Sequence, residues 1–227
     1  MPKTSRAKTR RRRPPGPAVL LTGFEPFGGD RVNPSAEIAR RLHGTVIAGH
    51  RVTGAVLPCV FGAAIRELER NLAAVRPVLV VCVGQAGGRA GITPERVAIN
   101  VDDARIPDNA GAQPVDRPVV RGGPAAYWST LPVKAIVAAL RREGIPAAVS
   151  QTAGTFVCNH VFYGLMHALH RQRRVRGGFT HVPFLPEQAR RGEPSLPLAT
   201  MTRGLEIAVA AALRRRHDVR AAGGAEA

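Results

Sequence analysis

The chain has 227 residues, of which 44% are hydrophobic, and a formal net charge of +17 at pH 7. This length and composition suit a single globular domain with a sizeable core, and no apolar run approaches the roughly 20 residues that a membrane-spanning helix needs. The three cysteines are widely spaced and form no CxxC pair, which argues against a disulfide framework and a zinc cluster and favours a cytoplasmic protein with reduced thiols and no metal.

Positive charge is concentrated at the N-terminus, where the first thirteen residues contain seven of the 33 lysines and arginines and no acidic residue. Such a basic segment is most often a disordered extension and less often a tether for nucleic acid. We expect residues 1–16 to be a disordered extension whose contact with nucleic acid is at most weak. The ten aromatic residues are not interleaved with the basic ones, so no platform for stacking bases is indicated.

Strand and helix signals alternate along the rest of the chain. Short apolar or alternating segments predict strands, and apolar residues three and four apart predict amphipathic helices. The continuous apolar run 78–83 is typical of a strand that is covered on both faces in a largely parallel sheet. The predicted strands are 18–22, 51–57, 78–83, 96–101, 147–149 and a short one within 177–186, and the predicted helices are 34–42, 62–75, 133–143, 158–169 and 201–216.

These elements predict an α/β fold with one domain, residues 17–216. We expect a three-layer α/β/α sandwich around a twisted, largely parallel (mixed) sheet. Asn33 followed by Pro34 predicts an N-cap and first turn for the first helix. Residues 217–227, which are rich in Gly and Ala, are expected to form a disordered tail.

Two glycine-containing turns follow predicted strands. Phe24 and Phe27 lie three residues apart among Gly and Pro after the first strand, a spacing that favours the lining of a pocket at a strand end over two core positions; the alternative is that both are ordinary loop anchors. The turn Gly84–Arg89 follows the strand 78–83. Its backbone could approach a phosphate or a substrate amide, but it lacks the Lys-Ser/Thr of a P-loop.

The stretch Ser150–Leu169 reads as a strand end, a turn and a helix that opens at Cys158. The positive end of a helix dipole stabilises an anion, so this position predicts a thiol pKa lowered from about 8.5 toward neutrality. A thiolate is a nucleophile, which makes Cys158 the candidate for catalysis. The alternative is a small buried residue with no chemical role.

A cysteine nucleophile needs a base within hydrogen-bond reach and a third group that orients the base. His160 lies two residues from Cys158, about 200° around the same helix, and should point away. His181 lies in the strand that follows the helix, and the ends of parallel strands meet at one edge of a sheet. Glu95 stands at a predicted strand start, where a lone glutamate is most often solvated.

Several sequence blocks together resemble the pyroglutamyl peptidase type I family, the cysteine peptidases of family C15, from about Val19 to Leu213. These blocks are long, occur in the same order and are jointly very specific. They are Thr22–Gly29 with Asn33–Ser35, Gly84–Arg89, Ile92–Asn100, Asp103–Asn109, Gly154–Asn159 and His181–Gln188.

The resemblance implies a Cys158, His181 and Glu95 triad that removes N-terminal pyroglutamate from peptides through an acyl-enzyme, with His181 and the cysteine thiolate as an ion pair. It implies that the backbone N–H of Cys158 and the side chain of Arg105 hold the oxyanion. Neither a metal nor an organic cofactor is expected, and a homo-oligomer, dimer or tetramer, is typical of the family. The implied substrate-binding residues are Phe24, Phe27, Gln85, Phe156 and Val157.

Two alternatives stay open at the level of the sequence. The first is a nucleoside-phosphorylase-like enzyme that binds phosphate at Gly84–Arg89, because open α/β folds serve unrelated chemistries. The second is a catalytically inactive, basic homologue that binds nucleic acid.

Overall fold

The computed structural model describes residues 17–172 and 174–224. The predictions for residues 1–16 and 225–227 therefore lie outside the described residues. Within them, no helix is both long and apolar enough to cross a bilayer. The elements in chain order are β1 (Ala18–Phe24), α1 (Pro34–Leu42), β2 (Val46–Ile47), β3 (His50–Leu57), α2 (Ala63–Val75), β4 (Leu79–Gln85), β5 (Thr93–Pro94), β6 (Val97–Ile99), β7 (Ala126–Trp128), α3 (Val133–Arg142), α4 (Val157–Leu169), β8 (Arg176–Val182) and α5 (Leu198–Arg214).

Six strands form one mixed sheet in the order β2-β3-β1-β4-β8-β5. The four central strands β3, β1, β4 and β8 run parallel, and the short strands β2 and β5 pair antiparallel at the two edges. Strands β6 and β7 form a separate two-stranded ribbon. The predicted α/β class and the largely parallel, mixed sheet are confirmed.

Alternation along the central strands divides the core into two layers. On β4, Leu79, Val81 and Val83 belong to one apolar cluster and Val80 and Cys82 to the other, as a side-chain period of two requires. Helices α1, α3 and α5 supply the first cluster, and α2 and α4 supply the second. The sheet is therefore covered on both faces, as the apolar run of β4 predicted.

The first helix begins as its sequence predicted, and its start also fixes the loop that leaves β1. The side chain of Asn33 accepts a hydrogen bond from the Ser35 N–H at 3.0 Å, and Pro34 occupies the first turn. The Oγ of Ser35 accepts a bond from the Phe24 N–H at 3.0 Å, and Asn33 Nδ2 donates to the carbonyl of Glu25 at 3.1 Å.

Two strand predictions differ from the structure. Residues 147–149 form no strand: Ala147 and Ser150 make only isolated bridges, with Ile92 and Glu95. The segment predicted as strand 96–101 is shortened to β6, which leaves the main sheet and pairs with β7. Periodicity identifies an extended segment, but its partner is set by contacts distant in sequence.

The structure also differs from the expected disordered tail over residues 217–224. Both carboxylate oxygens of Asp218 accept bonds from the first turn of α3, from the N–H groups of Lys134 and Ala135 at 3.0 and 2.8 Å. The carbonyl of Gly223 accepts a bond from the guanidinium of Arg96 at 2.7 Å. These bonds fasten the segment to the domain.

Candidate active site

The register of β4 and β8 brings the candidate nucleophile and base to one edge of the sheet. Gly84 on β4 pairs with His181 on β8. A Cβ added at Gly84 would lie 2.8 Å from the Sγ of Cys158 and 2.8 Å from the ring of Phe179. The thiol of α4 therefore rests against the strand position beside His181, in a space that exists because residue 84 has no side chain.

Helix α4 presents Cys158 in its first turn, as predicted. The helix begins at Val157 with the extended residue Phe156 as its N-cap. The next residue, Asn159, is fully buried and bonds the β6 ribbon: its Oδ1 accepts from the Ile99 N–H at 3.0 Å, and its Nδ2 donates to the carbonyls of Ile99 and Val101. Cys158 is 9% exposed, more than Cys59 at 2% or Cys82 at 0%.

Glu95 lies at the end of β5, where it contacts His181. The Glu95 N–H donates to the carbonyl of Phe179 at 2.9 Å, which continues the pairing of β5 with β8. The Oε1 of Glu95 lies 2.7 Å from Nδ1 of His181, and both side chains are buried. The carboxylate accepts, so Nδ1 carries the hydrogen and Nε2 is left to accept a proton. The glutamate is not solvated, contrary to the usual position of a lone glutamate.

Arg89, the last residue of the Gly84–Arg89 turn, also binds Glu95. Its guanidinium lies 2.8 Å from Oε1 of Glu95, donates to Oγ1 of Thr93 and donates to the carbonyl of Thr152 at 3.0 Å. Sequence reasoning treated this turn only as a backbone feature and assigned no role to Arg89. No pattern in the sequence marks this contact, because it depends on how the turn folds against β5.

Burial sets the protonation of the two central groups. It raises the pKa of the Cys158 thiol above its ordinary value, and the neighbouring Cys59 and Glu95 add to this rise. Burial also lowers the pKa of His181, although Glu95 acts in the opposite direction. Burial therefore acts against the lowered thiol pKa that the helix start predicts. It also disfavours the imidazolium of His181, and so acts against a preformed ion pair.

His160 and His181, the two histidines considered as the base, have different hydrogen-bond partners. His160 points away, as predicted: its Nδ1 lies 2.8 Å from Oδ2 of Asp102, and its Nε2 accepts from the Gly62 N–H at 2.8 Å. Both ring nitrogens of His160 therefore have hydrogen-bond partners. In His181, Glu95 contacts only Nδ1 and leaves Nε2 to accept a proton. His181 is therefore the better candidate for the base.

Aromatic rings gather near the start of α4. The ring of Phe156 lies 5.8 Å from that of Phe27 and 5.4 Å, edge to face, from that of Phe61. Phe27 and Phe156 are half-buried, which suits the predicted pocket wall. Sequence reasoning missed Phe61, because no motif marks the loop before α2.

The other predicted substrate-binding residues present different groups. The side chains of Phe24 and Val157 are fully buried, and the N–H of Phe24 already donates to Ser35. The side chain of Gln85 is held by Asp30, to which it donates at 2.7 Å, and by Gln188, from which it accepts at 3.1 Å. A role for Gln85 in binding also falls to its backbone.

Arg105 lies in the loop between Asp102 and Asn109, and its side chain is exposed. The loop is fixed next to the α4 start, since the Asp103 N–H donates to the carbonyl of Thr155 at 3.0 Å and Oγ1 of Thr155 donates back to Asp103 at 2.7 Å. The backbone therefore brings Arg105 near the turn that precedes Cys158. Its role at the oxyanion stays a prediction.

Comparison with known proteins decides the family. The model of the pyroglutamyl peptidase family matches residues 17–215. The pyrrolidone-carboxylate peptidase of Klebsiella pneumoniae (strain 342) is 62% identical over 209 residues, which cover 91% of this chain and 98% of the relative. That of Cupriavidus taiwanensis is 60% identical over 212 residues, 92% of this chain and 98% of the relative.

Solved structures agree with the sequence comparison. The pyroglutamyl peptidase I of Bacillus amyloliquefaciens superimposes with a TM-score of 0.89 at 50% identity, covering 91% of this chain and 99% of that one. The pyrrolidone carboxyl peptidase of Thermococcus litoralis gives a TM-score of 0.87 at 40% identity with the same coverage. The chain belongs to the pyroglutamyl peptidase family.

Membership of the pyroglutamyl peptidase family confirms the resemblance predicted from the sequence blocks. The contacts of the Gly84–Arg89 turn also weigh against a nucleoside-phosphorylase-like enzyme that would bind phosphate there. The ring of Phe184 packs on Gly87, where a Cβ would lie 2.4 Å from it, and the guanidinium of Arg89 is bound to Glu95. Among the described residues, no group of three or more His, Cys, Asp or Glu side chains could hold a metal ion.

Proposed function

We propose that this member of the pyroglutamyl peptidase family removes N-terminal pyroglutamate from peptides by means of Cys158, His181 and Glu95. The observation that carries the proposal is the 2.7 Å contact of Nδ1 of His181 with the buried Glu95, beside the Gly84 position that receives the Cys158 thiol. These are a nucleophile, a base and a group that orients the base, in the order that acyl transfer needs.

In the first step, Nε2 of His181 takes the proton of the thiol while Sγ attacks the carbonyl carbon of the pyroglutamyl residue. The imidazolium that forms is stabilised by Glu95, which already accepts from Nδ1. Proton transfer during attack fits a neutral thiol and a neutral imidazole better than a preformed thiolate, because burial raises the pKa of Cys158 and lowers that of His181.

The oxyanion of the tetrahedral intermediate lies at the N-terminus of α4. The N–H of Cys158 belongs to the first turn of that helix, where N–H groups have no partner within the helix. Arg105 is the charged side chain proposed to complete the oxyanion hole. Donors held in place for the developing charge supply much of the rate enhancement in acyl transfer.

Collapse of the intermediate breaks the C–N bond, and His181 returns its proton to the departing amine of the shortened peptide. Water then enters, gives a proton to His181 and attacks the thioester. The thiol leaves as pyroglutamate forms and regains its proton from the imidazolium. Every proton taken by His181 is returned, so the cycle needs no co-reactant other than water.

The lactam ring is compact and neutral, and the half-buried rings of Phe27 and Phe156, 5.8 Å apart, suit its apolar face. The carbonyl of Phe24 and backbone groups of Gln85 and Val157 are proposed to bond its amide, since the N–H of Phe24 already donates to Ser35. We also propose a cytoplasmic location and a homo-oligomer, which the three free cysteines and the family resemblance favour respectively.

The test is hydrolysis of a pyroglutamyl chromogenic amide beside the prolyl and glutamyl amides. We expect cleavage of the pyroglutamyl amide alone, and a loss of several orders of magnitude on Cys158→Ser. Cys82→Ser, which alters a buried cysteine on β4, is the matched control and should retain activity. Equal cleavage of the three amides, or full activity of folded Cys158→Ser, would overturn the proposal.

A further inference from the structure

Glu95 is a buried acid whose surroundings are incomplete without Arg89. Its side chain has no exposed surface, and its Oε2 has no hydrogen-bond partner among the described residues. Oε1 alone receives both His181 and Arg89, at 2.7 and 2.8 Å. A buried carboxylate costs free energy unless a charge and hydrogen bonds compensate it, and Arg89 is the cation in contact with it.

The guanidinium of Arg89 also connects three segments of the site. It leaves the Gly-rich turn after β4, donates to Thr93 on β5, and donates at 3.0 Å to the carbonyl of Thr152. Thr152 lies in the loop that leads to Cys158, where the Gly154 N–H donates to Thr152 Oγ1 at 3.0 Å. One planar group with several fixed donors thus ties the acid to the loop of the nucleophile.

We propose that Arg89 is a positioning residue of the triad, which fixes the carboxylate of Glu95 toward Nδ1 of His181 and links it to the loop before Cys158. Arg89 does not touch the substrate in this account; it acts through Glu95. The inference rests on the proposed function, because it assigns Arg89 a task in that same site.

The charge of Arg89 gives this task a measurable signature. The charged groups that act on His181 are Glu95, which follows β5, and Arg89 from the turn after β4. Cys158 of α4 lies at the Gly84 position, which pairs with His181. Arg89 contributes to lowering the pKa of His181, and Glu95 opposes it. Removing the positive charge favours the imidazolium, so the acidic limb of the pH–rate profile should move to higher pH.

The experiment measures pH profiles of kcat and kcat/KM on a pyroglutamyl amide for Arg89→Gln and Arg89→Lys. We expect Arg89→Gln to lower kcat on the order of 10- to 100-fold with little change in KM, and to move the acidic limb upward. Arg89→Lys keeps the positive charge but loses the planar set of N–H donors. Its kcat should therefore lie between those of Arg89→Gln and the unaltered chain, and the acidic limb of its pH–rate profile should not move. Arg70→Gln removes an exposed arginine paired with Glu67 and is the control with unchanged kinetics.

A double-mutant cycle covers the case in which Arg89→Gln leaves Glu95 uncompensated and does not fold. In the Glu95→Gln background the carboxylate charge is absent, and Arg89→Gln should then add no further loss of kcat. Additive losses in the cycle, or an unmoved acidic limb in folded Arg89→Gln, would overturn the inference. If the unaltered chain cleaves no pyroglutamyl amide, the proposed function fails instead, so the two failures are distinguishable.

Discussion

At the scale of single residues, burial of the thiol and the imidazole determines how the site reacts. The start of α4 favours an anion at Cys158, but burial raises the thiol pKa and lowers the pKa of His181. The base must be neutral to accept the proton, and its folded pKa lies below the ordinary 6.5. We therefore expect activity to be retained at pH 6.5 and to fall as the pH drops through a value below 6.5.

This gives a spectroscopic prediction for Cys158. A thiolate absorbs ultraviolet light that a thiol does not, and the difference spectrum between the unaltered chain and Cys158→Ser should show no thiolate at pH 7. The acidic limb of kcat/KM should have an apparent pKa below 6.5. Absorbance equal to one thiolate per chain at pH 7 would favour the ion pair and contradict the neutral pair.

Gly84 gives a second prediction at this scale. A Cβ there would lie 2.8 Å from both Sγ of Cys158 and the ring of Phe179, so Gly84→Ala must displace the thiol or the ring. We expect kcat/KM to fall on the order of 100-fold, because small misplacements of reacting groups are costly. Gly224→Ala is the control, since its Cβ would meet no atom within 4 Å. Unchanged kinetics in folded Gly84→Ala would contradict the described position of Sγ.

At the scale of elements, the tail after α5 stabilises the start of α3. That helix has Pro132 at its N-cap and no side-chain cap from that residue. Asp218 supplies the missing acceptors, at 3.0 and 2.8 Å from two N–H groups of the first turn. A distant segment thus replaces the local cap that sequence normally provides.

Asp218→Ala should lower the free energy of unfolding by about 1 kcal/mol, the usual contribution of an N-cap. For a chain of this size that corresponds to a fall in Tm of roughly 2–4 °C. Glu69→Ala, which removes an exposed acidic residue of α2, is the control for the change in net charge. Equal Tm values for Asp218→Ala and the unaltered chain, measured by circular dichroism, would mean that the tail does not cap α3.

At the scale of the whole molecule, the sequence predicted the elements of the sheet better than their pairing. The central strands can be predicted from continuous apolar runs such as 78–83, and Asn33-Pro34 predicts the start of α1. The antiparallel edge strand β5 and the β6–β7 ribbon carry almost none, because they are short and are defined by partners about 30 to 90 residues away in sequence.

The candidate site was also predicted only in part. Helical spacing and the order of the strands indicated Cys158 and His181, and the family resemblance added Glu95. The contact of Arg89 with Glu95 and the burial of Glu95 could not be predicted, since both depend on the fold of the Gly84–Arg89 turn against β5. The effect of burial on the thiol pKa could not be predicted either, because burial is a property of the whole fold.

A prediction for the whole chain concerns residues 1–16. The family match begins at residue 17, so deletion of residues 1–16 should leave kcat/KM on the pyroglutamyl amide unchanged. The deletion removes seven basic residues and should weaken any salt-dependent binding of duplex DNA. Filter binding at two salt concentrations measures this. Undiminished DNA binding by the shortened chain would place the affinity in the domain instead.

The central claim is that Cys158 is the nucleophile, and site-mapped alkylation tests it most directly. Iodoacetamide is added in stoichiometric amounts, and peptide mass spectrometry follows each cysteine while activity is measured. Cys158 lies beside the Gly84 position that pairs with His181 and is 9% exposed, whereas Cys59 and Cys82 are 2% and 0% exposed. We predict that activity falls in proportion to alkylation of Cys158, with Cys59 and Cys82 unmodified. Full alkylation of Cys158 with activity retained would contradict the account.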